Sequence, residues 1–386
     1  MTQGHTEWEG PMEPEPKMPM ESTLNISVVV ATYNRAETLR ETLRHLQEQT
    51  LAPSAFEVIV VDDGSPDNTA DIVAAEQRES THEIHYLQHP NRGPGFTQNR
   101  GVRAARAPIV LLIADDIFLA PGALQAHLDS HARHAGESVG EGGGKGEVAV
   151  LGRVLQSPGL TQSVFLTKWD PWHLGALPDG VEMPYYMFWA CNISLRRQFM
   201  LERGMFAEER GRAGAAAHED VELGHRLYQR GLRVVYSRDA WGHHHHVETL
   251  EGSLKRSYER GLNWHDFRRR LPHPEIDVAY RSYTPVTLLA NRRELTGPRR
   301  QFLVGADQSM AWLVARWLQR ALMFNRFTAK RLWLPLFAAA ERRPALARWM
   351  HENMYRGVIV HYFIVGVRDG NRRFGGSAQS TAVGGR

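Results

Sequence analysis

Cysteine is almost absent: Cys191 stands alone in 386 residues. No internal disulfide can form, which fits a reducing compartment and makes the cytosol the default location. Long apolar runs are missing as well. None approaches the roughly 18 to 20 residues that a bilayer-spanning helix needs, and the best candidate, residues 357–367, is short and interrupted by His361. The first 24 residues hold five Glu against one Lys, so they have neither the basic start nor the apolar centre of a secretory signal. Their composition reads as a disordered acidic tail. No Gly-x-Gly-x-x-Gly follows the first strand-like run; Ala31-Thr32-Tyr33-Asn34 stands there instead, which weakens a nucleotide-binding oxidoreductase as the rival enzyme class.

What is present begins with 42% hydrophobic residues, enough for a substantial core in one large domain or two ordinary ones. The formal charge of +3 hides an asymmetry. Residues 251–386 carry 24 Lys+Arg against 10 Asp+Glu, a net of +14, which leaves −11 on residues 1–250. A basic face of this kind attracts nucleic acid, anionic lipid or a phosphate-bearing substrate, and its sign does not choose among them. The region contains no recognisable nucleic-acid module, so a non-catalytic nucleic-acid-binding protein is disfavoured and no nucleic acid is expected as a partner. Its Trp- and Arg-rich amphipathic stretches, residues 310–324 and 343–354 with Trp312, Trp317, Trp333 and Trp349, leave two readings open. They suit a helical cap packed on the preceding domain, or peripheral contact with the inner face of the cytoplasmic membrane.

From Asn25 the pattern alternates as an α/β domain does. Residues 26–31 form a β-branched run ending in Thr32-Tyr33-Asn34-Arg35, and Leu39, Leu43 and Leu46 recur at helical spacing through residues 37–49. A second strand at 56–61 ends in Asp62-Asp63-Gly64-Ser65, with Asp67-Asn68-Thr69 capping the next helix. Further strands are predicted at 85–88 and 109–113, separated by a turn at 91–95 and a helix at 97–105. Beyond the glycine-rich stretch 137–147, read as a mobile surface loop, strands are predicted at 148–155, 189–195 and 232–236, with a helix over 218–229. Composition changes near Thr249, and the remainder reads as mainly helical.

Three strands of this series end in polar or acidic clusters, and ligands of open α/β sheets bind beyond the carboxyl ends of the strands. The sharpest cluster is Asp115-Asp116, directly after Ile109-Val110-Leu111-Leu112-Ile113. Two adjacent acids at the end of a buried strand are costly unless a positive partner sits there, and a divalent metal with its phosphates is the usual one. A second cluster, His218-Glu219-Asp220, opens a helix, and four histidines, His243–His246, follow the last strand.

Together these segments resemble the family 2 glycosyltransferases, inverting enzymes of the GT-A fold that use nucleotide-diphosphate sugars. The similarity rests on residues 27–35, on Val58-Ile59-Val60-Val61-Asp62-Asp63-Gly64-Ser65, and on Asn91-Arg92-Gly93 with Asn99-Arg100-Gly101. It is completed by Asp115-Asp116 and by His218-Glu219-Asp220 with Leu223. They stand in the family's order and spacing across residues 25–250. The resemblance implies a GT-A catalytic domain at 25–248 (a Rossmann-like mixed sheet flanked by helices), and composition sets off the acidic tail at 1–24 and the basic helical region at 249–386.

What the resemblance implies for the site is equally specific. Tyr33 falls where the family stacks near the nucleobase, with Thr32, Asn34 and Arg35 beside it on the nucleotide-sugar side. Asp62 and Asp63 fall where an acid holds base or ribose, and Asn91, Gly93 and Asn99 lie on the donor-binding loop and helix. Asp115 matches the middle position of the family's metal-binding acidic motif. Asp116 matches its last position, which reaches a Mn²⁺ or Mg²⁺ bridging the diphosphate. Asp220 resembles the general base, and Glu219 beside it an acceptor-orienting carboxylate. One histidine after Ala240 resembles a residue near metal or diphosphate, and His244 is our choice. Ala114 departs from the pattern, standing where many relatives carry a third acid. The implied partners are a nucleotide-diphosphate sugar, a UDP-sugar foremost, and a hydroxyl acceptor of lipid-linked or polymeric kind, as polysaccharide, glycolipid or glycoconjugate synthesis requires.

Each of these residues has a plainer structural alternative. Asp115-Asp116 and Asp62-Asp63 could be solvated turns or caps, and Glu219-Asp220 could be acids favoured by a helix dipole. The histidines alternate faces, so His244 pairs with His246 and His243 with His245, and at most two converge on one point. No cysteine or other close histidine pair completes a zinc set.

Overall fold

A computed structural model describes residues 24–135, 138–139, 144–158, 160, 163–169, 177–208, 218–270, 318 and 321–374. Most of the tail, residues 137 and 140–143 of the glycine-rich stretch, and Trp312 and Trp317 of the first amphipathic stretch lie outside the described residues.

The domain is built on a mixed nine-stranded sheet. Strands β1 (Ile26–Thr32), β2 (Phe56–Asp62), β3 (Glu83–Gln88) and β4 (Ile109–Ala114) pair in parallel in the order β3-β2-β1-β4. These runs are apolar throughout because both sheet faces are covered. Val29, Ile59 and Leu112 feed the core on one face, while Val28, Val58 and Leu111 feed the core on the other. The flanking helices of this half are α1 (Ala36–Gln47), α2 (Thr69–Glu79) and α3 (Pro94–Ala104). In α1, Leu39, Leu43 and Leu46 are fully buried, as their spacing predicts.

The sheet continues beyond β4. It takes in β5 (Ile117–Leu119), β8 (Glu147–Gln156), β9 (Glu182–Met183), β10 (Asn192–Arg196) and β11 (Leu232–His244), in the order β4-β10-β8-β11-β5 with β9 on β11. A separate pair, β6 (Ser138–Val139) with β7 (Gly144–Lys145), is antiparallel. Helices α4 (Ala123–His134), α5 (Val164–Lys168), α6 (Arg197–Arg203) and α7 (Glu219–Tyr228) complete this part. Strand β10 runs antiparallel to β4 and to β8, so the sheet is mixed. The chain leaves β1 for β2 and β3 on one side and reaches β4 on the other. Such a reversal opens a crevice at the carboxyl ends of β1 and β4.

Several elements differ from the sequence expectation: β5 has no counterpart in it, and the pair β6–β7 falls within the stretch 137–147 read as a mobile loop. Helix α3 starts at Pro94 rather than residue 97, because proline suits the first helical position and Gly93, at φ 95°, supplies the left-handed turn before it. Strand β10 starts at Asn192 rather than 189, since a tight turn returns the Asn192 N–H to the Trp189 carbonyl at 3.3 Å. Strand β11 does not stop at Tyr236. A register shift between Ser237 and Gly242 places the polar Arg238 and Asp239 outward, and pairing with β8 then resumes as far as His244.

After Thr249, whose hydroxyl caps the Gly252 N–H at 3.0 Å, the described residues are mainly helical. It forms α8 (Leu250–Leu262), α9 (Trp264–Arg270), α10 (Arg326–Thr328), a π turn (Ala329–Trp333), α11 (Leu334–Arg342), α12 (Pro344–Ala347) and α13 (Glu352–Phe374). The amphipathic helix expected at 343–354 is divided between α12, opened by Pro344, and the first turn of α13. No helix among the described residues is long and apolar enough to cross a membrane.

Candidate active site

Thr32 ends β1, and its hydroxyl donates to Asp115 Oδ2 at 2.7 Å across the sheet reversal. Arg35, three residues on, donates through Nη1 to Asp115 Oδ1 at 3.0 Å and to Asp116 Oδ2 at 2.5 Å. The turn that presents the two acids is fixed from behind. The Thr42 hydroxyl donates to the Asp115 carbonyl at 2.6 Å, and the His245 N–H donates to the Asp116 carbonyl at 2.7 Å. Behind them the Phe118 ring lies between those of His45 and His245, each 4.7 Å away.

The even-numbered histidines turn the opposite way. His244 Nε2 stands 3.5 Å and His246 Nδ1 3.8 Å from Asp116 Oδ2, with their rings 5.4 Å apart, and His246 Nδ1 also meets Arg35 Nη2 at 3.2 Å. The face-sharing of His244 with His246 is therefore the relevant pair.

The two acids have different electrostatics. Burial raises the pKa of Asp115, and Arg35 only partly opposes it. Burial works the same way on Asp116, but the hydrogen bond and charge of His244, with Arg35, overcome it and hold this carboxyl well below the usual range. Burial also lowers His246, with Arg35 adding to the effect. Arg35 itself is disfavoured by desolvation, yet the two carboxylates raise it further than burial lowers it.

A cleft of about 370 Å³ opens in front of Asp115. It falls in the size range of small-ligand sites. Of the sequence candidates it brings together Thr32, Tyr33, Arg35, Asp63, Asn91, Gly93, Asp115 and Glu219. Tyr33 is 46% exposed at its rim. Asp63 accepts from the Arg92 N–H at 2.6 Å and the Gly93 N–H at 2.9 Å, so it shapes the loop before α3. The remaining candidates are not among the lining residues. Asp62 is fully buried and takes donors from Ser65 N, Ser65 Oγ, Tyr86 Oη and Gln88 Nε2. Asn34, at φ 56°, gives its N–H to Ser65 Oγ at 2.9 Å and binds the two strand ends together. Asn99 clasps both polar groups of Phe206 and reaches Glu208 Oε1 at 2.9 Å, fixing the opposite wall of the cleft.

Asp220 lies in the first turn of α7, where the helix dipole favours acids. Its Oδ2 accepts the Ala190 N–H at 3.2 Å, and burial pushes its carboxyl up to about 7, with Glu219 adding to the rise and Arg260 opposing it. Cys191 connects the two acidic centres: burial raises its thiol, and Asp220 and Asp116 both raise it further. His218 precedes Asp220 in the left-handed conformation, φ 68°, with its ring stacked on Phe267 at 4.7 Å and Nε2 3.1 Å from the Arg260 carbonyl. Cys191 and Glu208 are neighbours that sequence reasoning missed, since neither lies in a motif, while Arg92 stands inside the Asn91-Arg92-Gly93 motif without having been singled out for the site.

Does the site suit a divalent cation? Asp116 Oδ1 is buried and accepts no hydrogen bond within the protein, which is the condition of a carboxylate oxygen awaiting a ligand. Carboxylate oxygen with imidazole nitrogen suits Mn²⁺ or Mg²⁺ completed by phosphate oxygens, so the residues present fit. Among the described residues the three-residue group with ligand spacing is Glu57, Glu83 and His85, at the amino ends of β2 and β3. Arg106 pairs with both of those carboxylates, as Arg35 does with Asp115 and Asp116, but the amino ends of the strands lie away from the crevice at their carboxyl ends, so Asp116 is the better centre.

The fold is of the GT-A kind, a mixed sheet flanked by helices with a helical region after it. Residues 27–145 match the family model Glycosyl transferase family 2. Among curated proteins, validoxylamine A glucosyltransferase of Streptomyces hygroscopicus subsp. limoneus is 31% identical over 273 residues, covering 65% of this chain and 57% of that protein. Chondroitin synthase of Pasteurella multocida is 23% identical over 304 residues, covering 69% of this chain and 29% of that protein. The chain thus spans under two thirds of the length of these relatives. Among solved structures, the mannosyltransferase PcManGT of Pyrobaculum calidifontis, in complex with GDP-Man and Mn²⁺, has a TM-score of 0.52 at 16% identity, covering 92% of this chain and 91% of that one. That likeness is one of fold.

Proposed function

We propose that this chain transfers a glycosyl group from a nucleotide-diphosphate sugar to an acceptor hydroxyl with inversion, using a divalent cation. The observation that supports it most directly is the pairing of a buried, ionised carboxylate carrying an unpartnered oxygen, Asp116, with a second carboxyl raised to about 7, Asp220, on either side of Cys191. Asp116 would hold the cation that stabilises the developing negative charge, and Asp220 accepts a proton, as this reaction demands.

Tyr33 at the rim offers a ring face to the nucleobase, and the loop held by Asp63 leads the ribose and diphosphate toward Arg35 and Asp115. Asp63 keeps lone pairs beyond the two used by the loop, so a ribose hydroxyl can donate to it. Asp116 with His244 would hold Mn²⁺ or Mg²⁺, whose chemistry is Lewis-acid stabilisation of the departing diphosphate; the Pyrobaculum structure holds Mn²⁺. Asp220 takes the proton of the acceptor hydroxyl as its oxygen bonds to the anomeric carbon. The bond from that carbon to the phosphate oxygen breaks, and its electron pair leaves with the nucleoside diphosphate. Glu219, which lines the cleft, orients the acceptor.

The test is a panel of nucleotide sugars, UDP-sugars first, incubated with Mn²⁺ or Mg²⁺ and simple glycosidic acceptors. Asp220→Asn should lower transfer by about 10²- to 10⁴-fold while leaving donor binding intact. Asp116→Asn should abolish metal-dependent donor binding. Normal transfer by both variants would refute the assignment.

A further inference from the structure

The helical region contains two apolar faces, and only one is used. Trp333, Phe337 and Tyr355 pack inward with Phe165 of α5, the rings of Phe337 and Tyr355 being 4.1 Å apart. On the outer side Leu322 is 70% exposed, Phe327 67%, Trp349 66% and Leu332 48%. The corner is rigid rather than frayed: Asn325 caps α10 with a reciprocal capping box, and the Trp333 indole N–H bonds to the Met323 carbonyl.

Charge says what this face fits. Residues 318–350 carry seven Lys+Arg and a single acid, Glu341. That acid is already committed, accepting the Val164 and Phe165 N–H groups at 2.9 Å each. Arg326, Lys330 and Arg331 are exposed between the apolar residues. The Arg331 guanidinium lies 5.5 Å from the Phe327 ring centre, and that of Arg348 lies 5.3 Å from the Trp349 ring centre. Aromatic and aliphatic tips ringed by unneutralised cations match a bilayer interface, with acyl boundary beneath and anionic headgroups around. A protein partner of core-like character would want fewer charges at its centre.

We propose that this corner, built from α10, the π turn, α11 and the turn carrying Trp349, docks the protein on anionic lipid bilayers as a peripheral contact. The proposal stands apart from the transferase reading and is tested without it. Sedimentation with vesicles of phosphatidylcholine alone, and with about one-third phosphatidylglycerol, should show at least about tenfold stronger partition to the anionic vesicles, as several basic residues near such a surface would give. Joint Leu322→Ser and Phe327→Ser replacement should weaken that partition about tenfold or more. Joint Arg326→Glu, Lys330→Glu and Arg331→Glu replacement should abolish the preference for anionic lipid. These side chains are exposed, so an unchanged thermal unfolding midpoint confirms that each variant is folded. Equal partition to both vesicle types, no partition, or partition untouched by both variants would overturn the proposal. So would a preference for RNA over anionic vesicles that survives the serine replacements.

Discussion

Two adjacent carboxyls, Asp115 and Asp116, show how far a single bond's displacement along the chain changes chemistry. One is anchored by the Thr32 hydroxyl and the other faces two histidines. Both were legible in the sequence as acids after a buried run, because an apolar strand ending in carboxylates is a conspicuous violation of hydrophobic patterning. The fate of Asp62 was not legible. It stands in an equally acidic motif, yet four donors from Ser65, Tyr86 and Gln88 saturate it, and only the fold reveals which donors reach an acid. Backbone strain points the same way as chemistry: Asn34 and His218, the non-glycine residues with positive φ among the described residues, flank the two acidic centres. A pH dependence follows from Asp220. Its carboxyl ionises only as pH rises through about 7, so kcat/KM should climb about tenfold between pH 6 and pH 8 under the proposed mechanism. Asp220→Asn should flatten that limb. A wild-type limb centred near pH 4 instead would show that Asp220 is not the base.

Among the elements, helices with strong periodicity such as α1 were readable nearly to the residue, whereas β11 was cut short because Arg238 and Asp239 imitate a strand end. A bulge places such a pair outward while the ladder continues, and local composition cannot distinguish that from termination. A second feature without sequence signature is the polar seam under α4. The His127 Nε2–H donates to Asn192 Oδ1 at 3.0 Å, His127 Nδ1 accepts from the Ser194 hydroxyl at 2.8 Å, and His131 Nε2 meets that hydroxyl at 2.9 Å. Burial lowers His127 to about 4 and His131, with His127 adding to the effect, to about 3. In the unfolded chain both protonate near pH 6.5. Below that pH the unfolded state binds more protons, so stability falls as pH drops from 6.5 toward 4 and is independent of this pair above 6.5. Urea unfolding at pH 5 should show about 2 kcal/mol lost through His127 relative to pH 7, and His127→Gln should lessen the loss. Identical pH slopes in the two proteins would disprove the seam's role.

For the molecule as a whole, the sequence disclosed the order of parts and the opposite charges of its two halves, but not how the helical region engages the catalytic one. That engagement depends on long-range contacts that no local pattern encodes. Phe363 of α13 packs with Trp264 and Phe267 of α9, and the same cluster holds Tyr185 and Val221 beside the start of α7. Phe363→Ala should therefore cost about 3 kcal/mol in chemical denaturation. It should also lower transfer at temperatures where the fold persists; full activity with full stability would show that the helices are an independent appendage. The packing has a consequence for biosynthesis. Chains emerge from the ribosome amino end first, and early-made segments settle before later ones exist. The turn bearing Asp220 leans on a ring made long after it. The nascent sheet can thus form while the turn bearing Asp220 is still unsupported, and under the proposed mechanism transfer begins only once α13 arrives.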